Sequence, residues 1–411
     1  MQKKIAIVAC ALGLPGEKGY SRFPFLANLL SEKGYKVDLY TSTFNHWEKA
    51  QRRESDINKI REKLKYNVIL GYERGYKKNL DIRRVFSHIQ LSDSILKEIT
   101  NENIKEKYDL LYVIIPDNVL SAKICEFGKK NNIPVIVDIE DLWPEGMIQD
   151  FDVPILSNIV FSPFAYYAKK TYLNADAFVG TSDEYRDEPL KYHANSKLER
   201  ITVYVGCELE VFDRGVKNNI ASIEKPDNEF WVIYTGTLGS SYDIDTLVKA
   251  AQSIKKGGIE NIRVKILGGG SLEEHFKHTA LEAPCNVDFL GYQPYEKMAA
   301  YIAKSDVTVN SFVKKASQSI VNKIGDYLAG GKPMINTCSS PEFKRIVQSK
   351  DFGINIEAED VNQMVEAIMK YYNDPDECAR VGKIARQVAE KDFDRKNSYL
   401  NIVNLINRMT A

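Results

Sequence analysis

Short runs of Val, Ile and Leu alternate with amphipathic helical stretches along the whole of this 411-residue chain. A strand buried on one face alternates polar with apolar residues, whereas a strand covered on both faces does not. The runs here lack that alternation, and so predict parallel strands sandwiched between crossover helices. The first series is Ile5–Cys10, Val37–Thr41, Asn67–Leu70, Leu110–Ile115, Pro134–Asp138, Ala177–Gly180 and Ile201–Val205. The second is Phe230–Thr235, Arg263–Leu267, Val287–Leu290, Val307–Asn310, Pro333–Asn336 and Gly353–Ile356. Between them, Asp213 to Glu229 is polar, carries Asn218, Asn219, Pro226 and Asp227, and lacks apolar periodicity. That composition predicts a linker. The expected organisation is α/β: one doubly wound domain over 1–212, the linker 213–229, a second doubly wound domain over 230–393, and a last helical segment, 394–411.

Composition narrows the function by exclusion. Lys plus Arg and Asp plus Glu both number 56, so the formal net charge is zero and any attraction to nucleic acid or membrane must be local. Six widely spaced cysteines with no CxxC fit a reducing cytoplasm better than a zinc site or a disulfide framework. No apolar stretch approaches the ~20 residues that span a bilayer. The apolar opening is followed by Gly13, Pro15, Gly16 and Gly19 where a signal peptide would carry a small-residue cleavage site, so it reads as the first buried strand. A cytoplasmic protein is expected.

Doubly wound sheets bind ligands beyond the carboxyl ends of their strands, and two such domains make a cleft there. The strand-to-helix loops therefore decide the chemistry. Gly13, Gly16 and Gly19 form a loop leading into a helix near Ser21, a device that brings backbone N–H groups to an anion, though without GxGxxG spacing. Thr235-Gly236-Thr237-Leu238-Gly239 and Gly268-Gly269-Gly270-Ser271 repeat it twice in the second half, which points to a phosphate-bearing ligand. Asp243-Ile244-Asp245 has metal-diphosphate spacing but sits where a helix starts, so it reads as an N-cap. His275 and His278 lack a third ligand at metal spacing. Lys323 and Asp326 lie three apart on one predicted helix that ends at Gly330-Gly331. A cation there suits a diphosphate and a carboxylate suits the two vicinal hydroxyls of a ribose; an ordinary surface ion pair has the same spacing.

The segment Asn322-Lys323-Ile324-Gly325-Asp326-Tyr327-Leu328-Ala329-Gly330-Gly331-Lys332-Pro333 resembles the NKxxDYxAxGKP variant of the glycosyltransferase family 4 signature. Other landmarks follow in that family's order. Tyr204-Val205-Gly206-Cys207-Glu208 to Phe212 is similar to its PNGVDxxxF segment, Tyr234–Gly239 to the first donor-domain loop, Leu267–Gly270 to its GDG loop, and Val287–Tyr292 to its VxFLGY strand. Asp138-Ile139-Glu140-Asp141-Leu142-Trp143-Pro144-Glu145 resembles the DxxDLWPE segment of a subgroup that assembles bacterial surface polysaccharides such as capsule and O-antigen.

The resemblance implies a GT-B architecture and a retaining hexosyl transfer from a nucleotide sugar, with no bound metal and no cofactor besides that substrate. Carried over by position, the donor would be held by Gly236, Thr237, Gly239, Gly268, Leu290, Tyr292, Asn322, Lys323 and Asp326. Asp326 stands where the second Glu of the family's E-x7-E motif grips the ribose, and Gln318 stands in the place of the first. Asp141 and Glu145 are implied to orient the acceptor, which would lie over Gly16, Gly19 and Asp138. The final helix is implied to return to the first domain.

From Glu48 to Arg84 there are 12 Lys or Arg and 6 Asp or Glu, with Tyr66, Tyr72 and Tyr76 interleaved. With no nucleic-acid motif alongside, a lipid diphosphate acceptor at an anionic membrane face is the expected partner. Phe161–Lys170, with its rings and basic pair, could lie in the membrane interface or pack on the sheet. The expected function is transfer of a sugar, N-acetylated amino sugars included, from a UDP-sugar to a polyprenyl-diphosphate-linked glycan. Alternatives are a UDP-sugar epimerase of the same architecture and a nucleotide-sugar-binding protein without catalysis.

Overall fold

The computed structural model describes residues 2–17, 19, 21–78, 82–143, 154–193, 198–316 and 320–411. They form two compact units, Met1–Val203 with Tyr399–Ala411, and Tyr204–Ser398.

Unit 1 is built on a seven-stranded sheet. Its strands are β1 (Lys4–Val8), β2 (Lys36–Ser42), β5 (Asn67–Gly71), β6 (Leu110–Ile115), β7 (Val135–Ile139), β8 (Ala177–Gly180) and β9 (Glu199–Thr202). A two-stranded hairpin, β3 (Phe44–Asn45) with β4 (Ala50–Gln51), stands apart from it. The sheet order is β5-β2-β1-β6-β7-β8-β9 with every pairing parallel. Every residue of β1, β6 and β7 is buried. Ile5 and Ile7 of β1 join the core on one face, and Ala6 and Val8 join the core on the other. The period-2 geometry of a strand forces this division, and helices cover both faces. The chain order reverses between β1 and β6, so the loops leaving those two strands part and leave a crevice.

Unit 2 repeats the plan with six strands: β10 (Phe230–Thr235), β11 (Ile262–Leu267), β12 (Val287–Gly291), β13 (Val307–Asn310), β14 (Met334–Asn336) and β15 (Gly353–Asn355). Their order is β12-β11-β10-β13-β14-β15, again all parallel, with the reversal between β10 and β13.

The expected linker is corrected. Leu209–Asn219 is a helix, and Leu209 and Phe212 are buried in the unit 2 core. Cutting the sequence at Asp213 had severed the apolar stripe Leu209, Phe212, Val216 that makes this helix amphipathic. The chain leaves unit 1 earlier, at Val203, and Tyr204 already stacks on Phe393 with ring centroids 4.7 Å apart. The last segment is also divided differently. Asp394–Ser398 stays in unit 2, where Arg395 donates to the Val205 carbonyl, and the return to unit 1 begins at Tyr399. There Tyr399, Ile402, Leu405 and Ile406 join the core of Phe23, Leu26 and Leu30. Among the described residues no helix is long and apolar enough to cross a membrane.

Candidate functional site

In unit 2 the loops after β10 and β11 interlock. Gly236 N–H donates to the Leu267 carbonyl, Gly268 N–H to the Gly291 carbonyl, and Leu238 N–H to the Gly269 carbonyl. Gly268 has φ +132°, and a Cβ there would lie 1.8 Å from the Gly236 oxygen. Only glycine allows that approach. Thr237, whose carbonyl accepts from the Tyr234 hydroxyl, and Gly239 complete the first loop.

Lys323 opens the helix Lys323–Ala329, and its ammonium points back to this loop. A Cβ on Gly236 would be 3.1 Å from Lys323 Nζ. Nζ lies 4.2 Å from the ring centroids of both Tyr234 and Tyr242 and 5.7 Å from that of Phe312. It is buried and has no hydrogen-bond partner. The ring faces attract a cation, yet an ammonium has three donors and aromatic faces satisfy none of them fully. Burial accordingly pulls its pKa down to about 7.

One turn on, Asp326 Oδ1 accepts from the Tyr295 hydroxyl at 2.7 Å. Burial raises its pKa to about 6, opposed by that hydrogen bond and by the Arg395 charge. Behind it Gly325 packs against backbone: a Cβ would fall 2.9 Å from the Gly206 carbonyl carbon. Tyr327, on the opposite side of the helix, accepts from Thr235 N–H at 2.7 Å and ties the helix to the end of β10.

The structure thus brings Gly236, Thr237, Gly239, Gly268, Lys323 and Asp326 to the carboxyl ends of β10 and β11. Leu290 is half-buried in β12, Tyr292 stands 70% exposed, and Asn322 is exposed at the start of the Lys323 helix. Gln318 lies outside the described residues. Sequence reasoning missed Tyr234, Tyr242, Phe312 and Tyr295. Their signal was available, since three of them sit in or just after β10 and β13 at the switch point, but aromatic residues there read equally as core. Asp243 caps its helix by accepting from Thr246 N–H at 3.1 Å, and Asp245 pairs with His275. Among the described residues no group of three or more His, Cys, Asp or Glu is arranged to hold a metal ion.

In unit 1 the loop after β1 is held by Glu17, which accepts from Leu14 N–H at 3.0 Å and pairs with Arg52 at 2.8 Å. Gly16 (φ +90°) faces open space, whereas Gly19 (φ +131°) lies against the Trp47 ring. The placing of Asp138 as an acceptor contact is corrected. It is fully buried in β7, its two oxygens meet the Arg22 guanidinium at 3.3 and 3.0 Å, and Tyr112 donates to it at 2.6 Å. Arg22 reaches on to the Val203 carbonyl, the Tyr399 hydroxyl and Glu140. Asp138 is therefore the buried anion that ties the first helix to the sheet and to the returning segment. Asp141 is half-buried and folds its own turn, accepting from Leu142 N–H and Trp143 Nε1. Glu145 lies outside the described residues. Of the interleaved rings, Tyr66 and Tyr76 are buried and Tyr72 is 54% exposed. Phe161–Lys170 lies within the helix Pro154–Asn174, with Ala168 in the core and Tyr166 exposed.

Residues 216–388 match the family described as "Glycosyl transferases group 1". The match lies within unit 2 and covers less than half of the chain. A curated relative, the Escherichia coli K12 protein WcaI, is named as a glycosyl transferase of colanic acid biosynthesis. It is 22% identical over 186 residues, which are 44% of this chain and 44% of its own length, so the match spans under half of that relative. Among solved structures, sucrose-phosphate synthase from Thermosynechococcus elongatus superposes with a TM-score of 0.73 at 18% identity, over 99% of each chain. Anabaena HepE, solved in complex with UDP-glucose, gives 0.66 at 13% identity over 98% of this chain and 99% of its own. The fold class is α/β of the GT-B glycosyltransferase type. The matched residues include Tyr234, Tyr242, Tyr295, Phe312, Lys323 and Asp326.

Proposed function

We propose that this chain is a retaining glycosyltransferase that uses a UDP-sugar, N-acetylated amino sugars included, and a polyprenyl-diphosphate-linked glycan in surface polysaccharide synthesis. The observation that carries this reading is the Lys323 ammonium, buried, caged by rings and without a hydrogen-bond partner beside the Gly236 loop. A buried cation without an anion is costly, and a nucleoside diphosphate supplies both the charge and the acceptors. Asp326 then takes the ribose hydroxyls. The match to group 1 glycosyltransferases, and the UDP-glucose bound by HepE, support a UDP-sugar as the ligand.

In the proposed reaction the acceptor hydroxyl attacks the anomeric carbon on the face the nucleotide leaves. The carbon–phosphate oxygen bond breaks, the new glycosidic bond forms, and the hydroxyl proton passes to the departing diphosphate. Lys323 and the loop amides stabilise the charge developing there, so this reading needs no divalent cation. Gln318 is assigned to the donor sugar, and Asp141 with Glu145 to orienting the acceptor, beside Gly16 and Gly19 of unit 1. The acceptor implies work at the cytoplasmic membrane face. The test is Asp326→Ala with UDP titrated by calorimetry. Loss of the ribose contact should weaken binding by about tenfold or more. Unchanged UDP affinity would refute the assignment.

A further inference from the structure

The hydroxyl that meets Asp326 comes from a different strand. The loop after β12 turns at Gly291 (φ +62°), whose carbonyl accepts from Gly268 N–H at 2.8 Å and so joins the interlocked glycine loops. Gln293 Nε2 closes the turn on the Leu290 carbonyl at 2.7 Å. The helix Tyr295–Lys304 follows at once, and Met298 N–H donates to the Pro294 carbonyl at 2.9 Å to close its first turn. Tyr295 is its first residue. The helix Leu209–Asn219 crosses close beside it: a Cβ on Gly215 would lie 2.8 Å from Glu296 Cα. Backbones packed this tightly leave the start of the Tyr295 helix little room to shift.

Both ends of the Tyr295–Asp326 hydrogen bond thus stand on fixed backbone, since Gly325 is packed against Gly206 in the same way. The backbone does not fix the plane of the carboxylate. The last torsion of an aspartate joins an sp3 to an sp2 carbon, and its wells are broad. Tyr295 supplies that restraint by occupying Oδ1 at 2.7 Å. Among the described residues Oδ2 accepts no hydrogen bond. The Tyr295 ring is 37% exposed, and among the described residues it joins none of the apolar clusters of unit 2. Its hydroxyl holds a carboxylate, while its ring holds no core together.

The other groups facing Asp326 are already engaged. Tyr327 is turned to Thr235 N–H, and the Cys207 thiol donates to the Gly325 carbonyl at 3.4 Å. Arg395 is held on the Val205 carbonyl and 3.4 Å from Glu208. Burial, then the Asp326 charge, pushes up the pKa of the Tyr295 hydroxyl and of the Cys207 thiol, and burial does the same to Tyr327. All three stay protonated at neutrality. Burial raises the Asp326 pKa to about 6, against the Tyr295 hydrogen bond and then the Arg395 charge.

We propose that Tyr295 is a positioning residue for nucleotide binding, holding Oδ1 of Asp326 so that Oδ2 meets the ribose hydroxyls, which makes the site selective for ribonucleotides. This deepens the donor half of the function proposed above and rests on the ribose assignment of Asp326. A carboxylate free to turn would have to be ordered as the ligand binds, and that cost falls on affinity.

The experiment compares the parent with Tyr295→Phe, which removes one oxygen and keeps the ring. UDP and 2′-deoxy-UDP are titrated by calorimetry at about pH 8, where Asp326 is largely ionised in both proteins. The parent should prefer UDP by about tenfold, and Tyr295→Phe by about threefold or less, with Tm unchanged. Followed over pH with UDP-glucose, the acid limb of Tyr295→Phe should move up by about one unit, because the ionised carboxylate has lost a donor. The alkaline limb set by Lys323 should stay in place. A tyrosine that only supported the fold would weaken both nucleotides alike and leave the acid limb where it was. In the Asp326→Ala background, Tyr295→Phe should change UDP affinity no further. The proposal is overturned if Tyr295→Phe discriminates between the two nucleotides as the parent does, if its acid limb does not move, or if it adds a loss to Asp326→Ala. If Asp326→Ala itself binds UDP as the parent does, the ribose assignment falls and this proposal with it. If Asp326→Ala weakens binding while Tyr295→Phe changes nothing, only the role of Tyr295 falls.

Discussion

Donor affinity should depend on pH through Lys323, and the sign follows from its cage. In the free protein its pKa is pulled down by burial to about 7, because no acceptor shares its charge. A bound diphosphate supplies acceptors and raises that pKa, so binding above neutrality takes up a proton at Nζ. At about pH 9 only roughly 1% of the free protein holds the proton, against half at pH 7. The apparent affinity should therefore fall by more than tenfold, on the order of 2 kcal/mol, across that interval. Asp326 works in the opposite sense. Its pKa is raised to about 6 by burial, so below that pH it is protonated and loses its acceptor character for ribose hydroxyls. Affinity should peak between about pH 6 and pH 7 and decline on both sides. UDP-glucose is the ligand to use, since its diphosphate diester does not itself titrate there. Calorimetry in two buffers of different ionisation enthalpy would count the proton directly. Lys323→Met should bind more weakly at neutrality and lose the alkaline limb. A flat profile from pH 7 to pH 9, or an alkaline limb that survives in Lys323→Met, would refute the account of the cage.

Two further outcomes follow from packing. Arg22→Met leaves the Asp138 carboxylate buried without its bidentate partner, and should cost about 3–5 kcal/mol in urea unfolding. Adding Asp138→Asn should recover part of that loss, because the uncompensated charge is then gone. Gly268→Ala places a Cβ 1.8 Å from the Gly236 oxygen at a φ of +132°, so both glycine loops must move. UDP binding should be lost by thermal shift, and retention of parental affinity would show that the interlocked loops do not shape the site.

How far the sequence could be read depended on whether the signal was local. All thirteen strands of the two sheets were legible, most plainly the doubly buried ones such as β1, β6 and β7, which are largely apolar runs whatever surrounds them. The two-residue strands of the β3–β4 hairpin carry no such run, and so the hairpin was invisible. Lys323 and Asp326 were legible because one helix holds both at fixed spacing. What makes Lys323 unusual was not, because Tyr234, Tyr242 and Phe312 reach it from the end of β10, from the loop that follows it and from the loop after β13. Asp138 shows the converse error. Its place in a motif suggested a surface role, but its position in the strand, fourth in the all-buried run Val135–Ile139, already required a buried partner. The buried arginine that meets it is Arg22, 116 residues away in the chain. A carboxylate inside such a run should be read first as half of an ion pair, and as a ligand contact only when no cation can reach it.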